Sequence, residues 1–339
     1  MSIFSASRIS IQAKNTDDRS IRIGLINNMP DQALAQTEHQ FRDILRRAAP
    51  DLALRVSFYS LPGIRRGDAG QRHLLANGYR EFSPYEPHHL DGLIVTGTEP
   101  ICADLRDEPY WDSLAQLYDW IAHKGPSTIF SCLAAHAAVL HYDGIERERL
   151  PEKRFGLFDH VVIEDHALTE LLPPVARVAH SRWNDVSAQT LESNGYRILT
   201  QGSEAGVDMF VRDERKLLIF FQGHPEYDLH TLYREYRRDV RRFLTGERVT
   251  YPAMPRNYFT EDERALLTEF QSRATAVRED ALMDNFPLAG SQFLPGDAWQ
   301  KPAIAVMGAW LGQFAKSKRA QRPTRVREPG IEAISQGGA

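Results

Sequence analysis

Cys132 stands between an apolar run, Ser127-Thr128-Ile129-Phe130-Ser131, and a stretch of small residues, Leu133-Ala134-Ala135-His136-Ala137-Ala138-Val139-Leu140. The run reads as a buried strand and the stretch as a helix, so the thiol falls where a strand hands over to a helix. Unpaired backbone N–H groups and the positive end of the helix dipole favour a thiolate at such a place, and any oxyanion formed beside it. The chemistry implied is acyl transfer through sulfur, with the backbone N–H of Leu133 as the oxyanion donor.

A cysteine nucleophile needs a base. A second apolar run, Leu217-Leu218-Ile219-Phe220-Phe221, ends in Gln222-Gly223-His224-Pro225-Glu226-Tyr227-Asp228. Two parallel strands ending at one sheet edge would bring Cys132 and His224 within reach of each other. Glu226, two residues on, can turn back to hold the imidazole tautomer and stabilise its charge, which completes a Cys/His/Glu triad. A lone buried cysteine is more often structural than reactive. The joint placement of thiol and imidazole at two strand ends is what carries the catalytic reading. His136, one helical turn past Cys132, is either a second candidate base or a buried, hydrogen-bonded histidine lining the pocket.

Such a pair requires a sheet to hold it. Residues 21–26, 54–59 and 92–97 read as strands, and 32–48 and 108–124 as amphipathic helices between them. Strands alternating with helices predict a parallel sheet covered on both faces, a three-layer α/β architecture. Further on, residues 155–163, 196–200, 207–211 and 216–221 read as strands with no helices between them, which predicts an antiparallel extension. Residues 229–244 read as a charged amphipathic helix, 283–295 as loop, and 299–314 as a helix that packs back on the body. The chain divides into a polar leader (1–18), one α/β domain (19–315) and a basic tail (316–339). The tail carries Lys316, Lys318, Arg319, Arg322, Arg325 and Arg327 with little apolar content and reads as disordered rather than as a binding arm.

Composition narrows the classes. With 339 residues, 42% of them hydrophobic, the chain can bury a sizeable core. A net charge of −4 offers no general attraction to nucleic acid or to an anionic membrane. The two cysteines, Cys102 and Cys132, are too few for a disulfide framework and fit a reduced, cytoplasmic setting. The amino terminus has no signal-peptide pattern, and no apolar run is long enough to span a bilayer. The chain shows no GxGxxG, no Walker sequence and no metal-spaced cluster, so neither prosthetic cofactor nor metal is expected.

A set of short motifs adds a resemblance. Asn27-Asn28-Met29-Pro30, Thr37-Glu38-His39-Gln40-Phe41, Gly92-Leu93-Ile94-Val95-Thr96-Gly97, Tyr110-Trp111, Ser131-Cys132, Pro151-Glu152-Lys153, Gly156-Leu157-Phe158-Asp159-His160, His180-Ser181-Arg182 and Gly223-His224-Pro225-Glu226-Tyr227-Asp228 occur in this order. Over roughly residues 21–239 the chain resembles the homoserine O-succinyltransferases, a homoserine O-acyltransferase family. The resemblance implies a fold like that of class I glutamine amidotransferases (flavodoxin-like). It implies a ping-pong reaction in methionine biosynthesis: Cys132 takes an acyl group from a coenzyme A thioester, and the homoserine hydroxyl, deprotonated by His224, attacks the acyl-enzyme. It also implies that Arg238 grips the homoserine carboxylate, a task suited to guanidinium, that Lys153 and Ser181 line the substrate pocket, and that the protein is a homodimer.

The chain departs from the family pattern in places. Asp31-Gln32 stands where a lysine is usual, with about two extra residues before Thr37. Ile101 occupies the position associated with donor selectivity; glycine there would admit succinyl and glutamate would repel it. Leu133 and His136 replace a bulky residue and a glutamine. Succinyl transfer to homoserine is the leading expectation. Acetyl-CoA-dependent transfer to homoserine or serine, and an amidotransferase-like hydrolase with the same triad, are the alternatives.

Overall fold

The computed structural model describes residues 20–86, 88–287 and 297–320; the leader 1–18 and the tail beyond 320 lie outside the described residues. In chain order the strands are β1 (Ile21–Ile26), β2 (Leu54–Ser60), β3 (Arg80–Glu81), β4 (Gly92–Val95), β5 (Ser127–Ser131), β6 (Glu148–Val162), β7 (Val175–Asp185), β8 (Arg197–Ile198), β9 (Thr200–Gly202), β10 (Gly206–Val207), β11 (Met209–Arg212) and β12 (Leu218–Phe221). The helices are α1 (Leu34–Ala48), α2 (Asp68–Ala76), α3 (Trp111–His123), α4 (Leu133–Asp143), α5 (Ala188–Ser193), α6 (Thr231–Leu244), α7 (Glu261–Ala276) and α8 (Lys301–Ala320). α8 runs past residue 315, so the start of the expected tail is helical.

The main sheet has the order β3-β2-β1-β4-β5-β12-β11-β8. Neighbours from β3 to β12 pair in parallel, whereas β12/β11 and β11/β8 are antiparallel. Its central strands alternate between two cores, as the two-residue period of a strand buried on both faces requires. Leu93, Phe130 and Phe220 face α3 and α4, while Ile94, Ile129 and Ile219 face α1 and α8. This is the three-layer arrangement expected.

Trp310 of α8 is fully buried under the sheet and its indole N–H donates to Ser127 Oγ at 2.9 Å. A Cβ on Gly92 would stand 2.6 Å from that indole, so glycine is what admits α8 there. Removing a side chain of this size from a core costs about 3–5 kcal/mol.

The antiparallel part is larger than an extension of the sheet. β10, β9, β6 and β7 form a separate four-stranded sheet, and β7, α2, α5 and α7 do not show in the sequence pattern. The β6/β7 ladder shifts register between Arg149 and Arg154. Pro151, which has no N–H to donate, lies in that interruption beside Lys153. A third core joins this sheet to α6 and α7 through Phe155, Tyr236, Val240, Leu267 and Phe270. α7 starts with a capping box in which Thr260 and Glu263 satisfy each other's backbone N–H. Among the described residues no helix is long and apolar enough to cross a membrane.

Candidate active site

β5 and β12 end together, with Ser131 opposite Phe221 in the parallel register. The next residue, Cys132, donates its N–H to Phe221 O at 2.8 Å and turns sharply, with φ 53° and ψ −112°, before α4 begins. Positive φ is strained for a residue with a side chain, typically by about 1–3 kcal/mol. The turn leaves the thiol half-buried at the head of α4. The N–H of Leu133, first in the helix, has no acceptor among the described residues. Gly97 packs against it so closely that a Cβ there would come within 3.1 Å of the Leu133 nitrogen. A bare strand end thus keeps the expected oxyanion donor open.

His224 is fixed from behind by its backbone. Its N–H donates to Ala179 O at 2.9 Å, and the N–H of Gly223 donates to the buried Asp208 Oδ1 at 2.9 Å. Gly223 cannot carry a side chain, because a Cβ would meet that carboxylate at 2.6 Å. The imidazole stacks on Tyr227 with ring centroids 4.1 Å apart. Its Nδ1 is 2.9 Å from Glu226 Oε1, and the Cys132 thiol shares the cleft beside the ring. Burial alone would lower the pKa of His224. The neighbouring Cys132 and Glu226 outweigh it, through charge and hydrogen bonding, and hold it well above the ordinary histidine value. The structure therefore brings Cys132, His224 and Glu226 together at one sheet edge, with His224 hydrogen-bonded to Glu226. Sequence reasoning missed a fourth member: Ser131 Oγ donates to Glu226 Oε2 at 3.1 Å.

This group forms the floor of a broad, solvent-open cleft. Lys153, Ser181 and Arg238 all face the cleft, and they converge on a carboxylate that the sequence did not single out, Glu235 of α6. Ser181 Oγ donates to Glu235 Oε2 at 2.5 Å, Lys153 Nζ lies 3.4 Å from the same oxygen and Arg238 Nη2 3.8 Å from it; the Tyr227 hydroxyl donates to Oε1. Burial would raise the pKa of Glu235, but Lys153 and Arg238 overcome it, helped by the hydroxyl donors, and bring it down to about 2. Arg238 in addition binds Asp239 Oδ1 through Nε and Nη2 at 3.0 and 2.9 Å. α6 can serve the cleft because its apolar residues Leu232, Tyr236, Val240 and Phe243 point into the third core.

Three further residues singled out in the sequence are placed as follows. Ile101 is 70% exposed and does not line the cleft, whereas Glu99 and Pro100 do. The N–H groups of Ile101 and Cys102 both donate to Glu108 Oε1 at 2.6 Å, which folds the loop with the isoleucine outward. His136 takes the second of its two readings, a buried, hydrogen-bonded histidine lining the cleft: its Nε2 is 2.8 Å from Gln222 Oε1, and burial pulls its pKa down to about 3. Asp31, in place of the usual lysine, receives the N–H of Gly67 at 2.8 Å at the start of α2 and sits 3.3 Å from Arg66. Arg66 in turn clamps the carbonyls of Asn27 and Met29, so the altered turn is held from outside the cleft. Among the described residues no group of three or more His, Cys, Asp or Glu is placed to hold a metal ion.

Distant likenesses among solved structures are to amidotransferases. A glutamine amidotransferase from Methylobacillus flagellatus is 14% identical with a TM-score of 0.49, covering 92% of this chain and 99% of that one. A Thermotoga maritima glutamine amidotransferase is 13% identical with a TM-score of 0.47, covering 87% and 98%. Sequence likeness is far closer. Homoserine O-succinyltransferase of Rhodopseudomonas palustris is 45% identical, over 88% of this chain and 89% of its own length. That of Methylorubrum extorquens is also 45% identical, over 86% and 87%, and that of Thiothrix nivea 35%, over 94% and 88%. The model of one family, homoserine O-succinyltransferase, matches residues 3–318. A match spanning nearly the whole chain, with the triad at its centre, means that the chain belongs to the homoserine O-succinyltransferase family.

Proposed function

We propose that the protein transfers an acyl group, succinyl first among them, from a coenzyme A thioester to the hydroxyl of L-homoserine through an acyl-Cys132 intermediate, as a step of methionine biosynthesis. The observation that carries this reading is the His224 imidazole, hydrogen-bonded to the Glu226 carboxylate and beside the Cys132 thiol at the floor of an open cleft.

In the first half-reaction the Cys132 thiolate adds to the thioester carbonyl and the oxyanion meets the Leu133 N–H. The carbon–sulfur bond to coenzyme A breaks, and the departing thiolate takes the proton of the His224 imidazolium. In the second half, homoserine attacks the acyl carbon while its hydroxyl proton passes to His224, and the Cys132 thiolate leaves. The enzyme returns to its starting protonation state. Glu226 holds the imidazole and balances its charge in each imidazolium phase.

Arg238 receives the homoserine carboxylate, with Lys153 and Ser181 beside it. The rim of the cleft, where Arg234, Arg241, Arg242 and Arg248 stand, suits a polyanionic carrier such as coenzyme A. The thioester brings its own activation, so the scheme uses no prosthetic group. A homodimer in the cytoplasm completes the reading.

Intact mass spectrometry on enzyme incubated with succinyl-CoA tests it. The expected result is one succinyl adduct, lost on adding homoserine and absent from Cys132→Ala. Coenzyme A release that proceeds at full rate without homoserine would instead mark a hydrolase.

A further inference from the structure

Arg147 belongs to the cleft of Cys132 but not to its machinery. It follows the left-handed Gly144 cap of α4, and its guanidinium is half-buried with no hydrogen bond or ion pair among the described residues. Other cations of the cleft are occupied: Lys153 and Arg238 by Glu235 and Asp239, Arg242 by Glu99, and Arg149 lies over the Trp183 ring. A partly desolvated guanidinium without an anion is costly unless a ligand supplies one.

A second group lacks a partner in the same quarter. The hydroxyl of Tyr110 is buried, the residue being 7% exposed, and bonds to nothing among the described residues. An unpaired buried hydroxyl costs about 1–3 kcal/mol. Tyr110 walls a narrow recess that abuts the thiol's turn and shares Thr96, Gly97 and Leu133 with the cleft that Arg147 lines. Burial pushes its pKa up, so the phenol stays a neutral donor. Arg147 lies within electrostatic reach of both Tyr110 and Cys132, with Glu108, Asp104 and Arg149 as charged neighbours, Asp104 being bound by Arg106. Glu108 is already engaged by the Ile101 and Cys102 amides.

We propose that Arg147 and Tyr110 form the subsite for the distal carboxylate of a dicarboxylic acyl group carried on Cys132, and so set the preference for succinyl over acetyl donors. A succinyl group on sulfur extends its free carboxylate roughly 5–6 Å from Sγ. The guanidinium fork and one phenol hydroxyl give a carboxylate the charge and donors it needs. Acetyl offers them nothing and leaves both groups unpaired.

This inference rests on the acyl-Cys132 reading. The test is kcat/KM of the full chain for succinyl-CoA and acetyl-CoA at saturating homoserine. Arg147→Met is expected to lower the succinyl-to-acetyl ratio by about 30-fold or more, and Tyr110→Phe by about fivefold. Arg147→Lys, which keeps the charge without the fork, should fall between wild type and Arg147→Met. Parallel loss with both donors, no change with either, or a wild-type preference for acetyl-CoA overturns the subsite while leaving acyl transfer intact. No adduct from either thioester on the wild-type enzyme sinks both readings.

Discussion

Ser131 donates its hydroxyl proton to Glu226 at 3.1 Å, so the residue that precedes the thiol in β5 also steadies the carboxylate behind the imidazole. One strand end thereby sets two members of the triad. Ser131→Ala removes a hydrogen bond to a buried charge, worth about 1.5–3 kcal/mol. We expect kcat to fall about tenfold or more, with acylation of Cys132 still visible by intact mass. Unchanged kcat would mean that His224 alone fixes Glu226.

Glu226→Gln should change the pH dependence. His224 titrates well above 6.5 because Cys132 and Glu226 stabilise its charge against the effect of burial. The stabilisation is fully present below that ordinary value and is lost as pH rises through the raised one. Glutamine keeps the shape and removes the charge, so the imidazole titrates lower. The alkaline limb of kcat/KM for the thioester is expected to move to lower pH, and kcat to drop by about 10²-fold or more. An alkaline limb that stays put would remove Glu226 from control of the imidazole.

Cys132 holds a backbone conformation that glycine adopts freely. Cys132→Gly and Cys132→Ala both lose the thiol, but only the first relieves the strain. Chemical denaturation is expected to show the glycine variant about 1 kcal/mol or more above the alanine variant. Equal midpoints would show that the turn stores no strain.

Arg238→Ala removes a half-exposed guanidinium that faces the cleft beside Glu235. The KM for homoserine is expected to rise about tenfold or more, with a much smaller change for the thioester. Equal effects on both substrates would move Arg238 from the amino-acid site to the coenzyme A rim.

The sheet and the thiol–imidazole pair were legible in the sequence because buried parallel strands are unbroken apolar runs with sharp ends. β1 and β5 match the runs read from sequence residue for residue. β7 was not legible, since its buried positions include Ala176, Ala179, His180 and Arg182, a set with no apolar alternation. α7 was not legible either, since its thin stripe of Leu267, Phe270 and Ala274 is diluted by charge. Glu235 hides in a charged run that reads as a solvated helix face. Only the packing of α6 against the second sheet shows which side of that run meets the cleft. Ser131 looked like the last residue of a strand, because nothing local links it to a carboxylate 95 residues away.

The position of α8 bears on how the chain is made. Every residue assigned here to the triad and the cleft has been synthesised by Arg248, whereas the helix that covers Ile23, Ile94, Ile129 and Ile219 begins at Lys301. A growing chain therefore carries a complete set of reactive groups on a sheet with one greasy side only partly covered by α1. Such a half-clad intermediate is prone to self-association, and it is α8, arriving last, that ends the exposure.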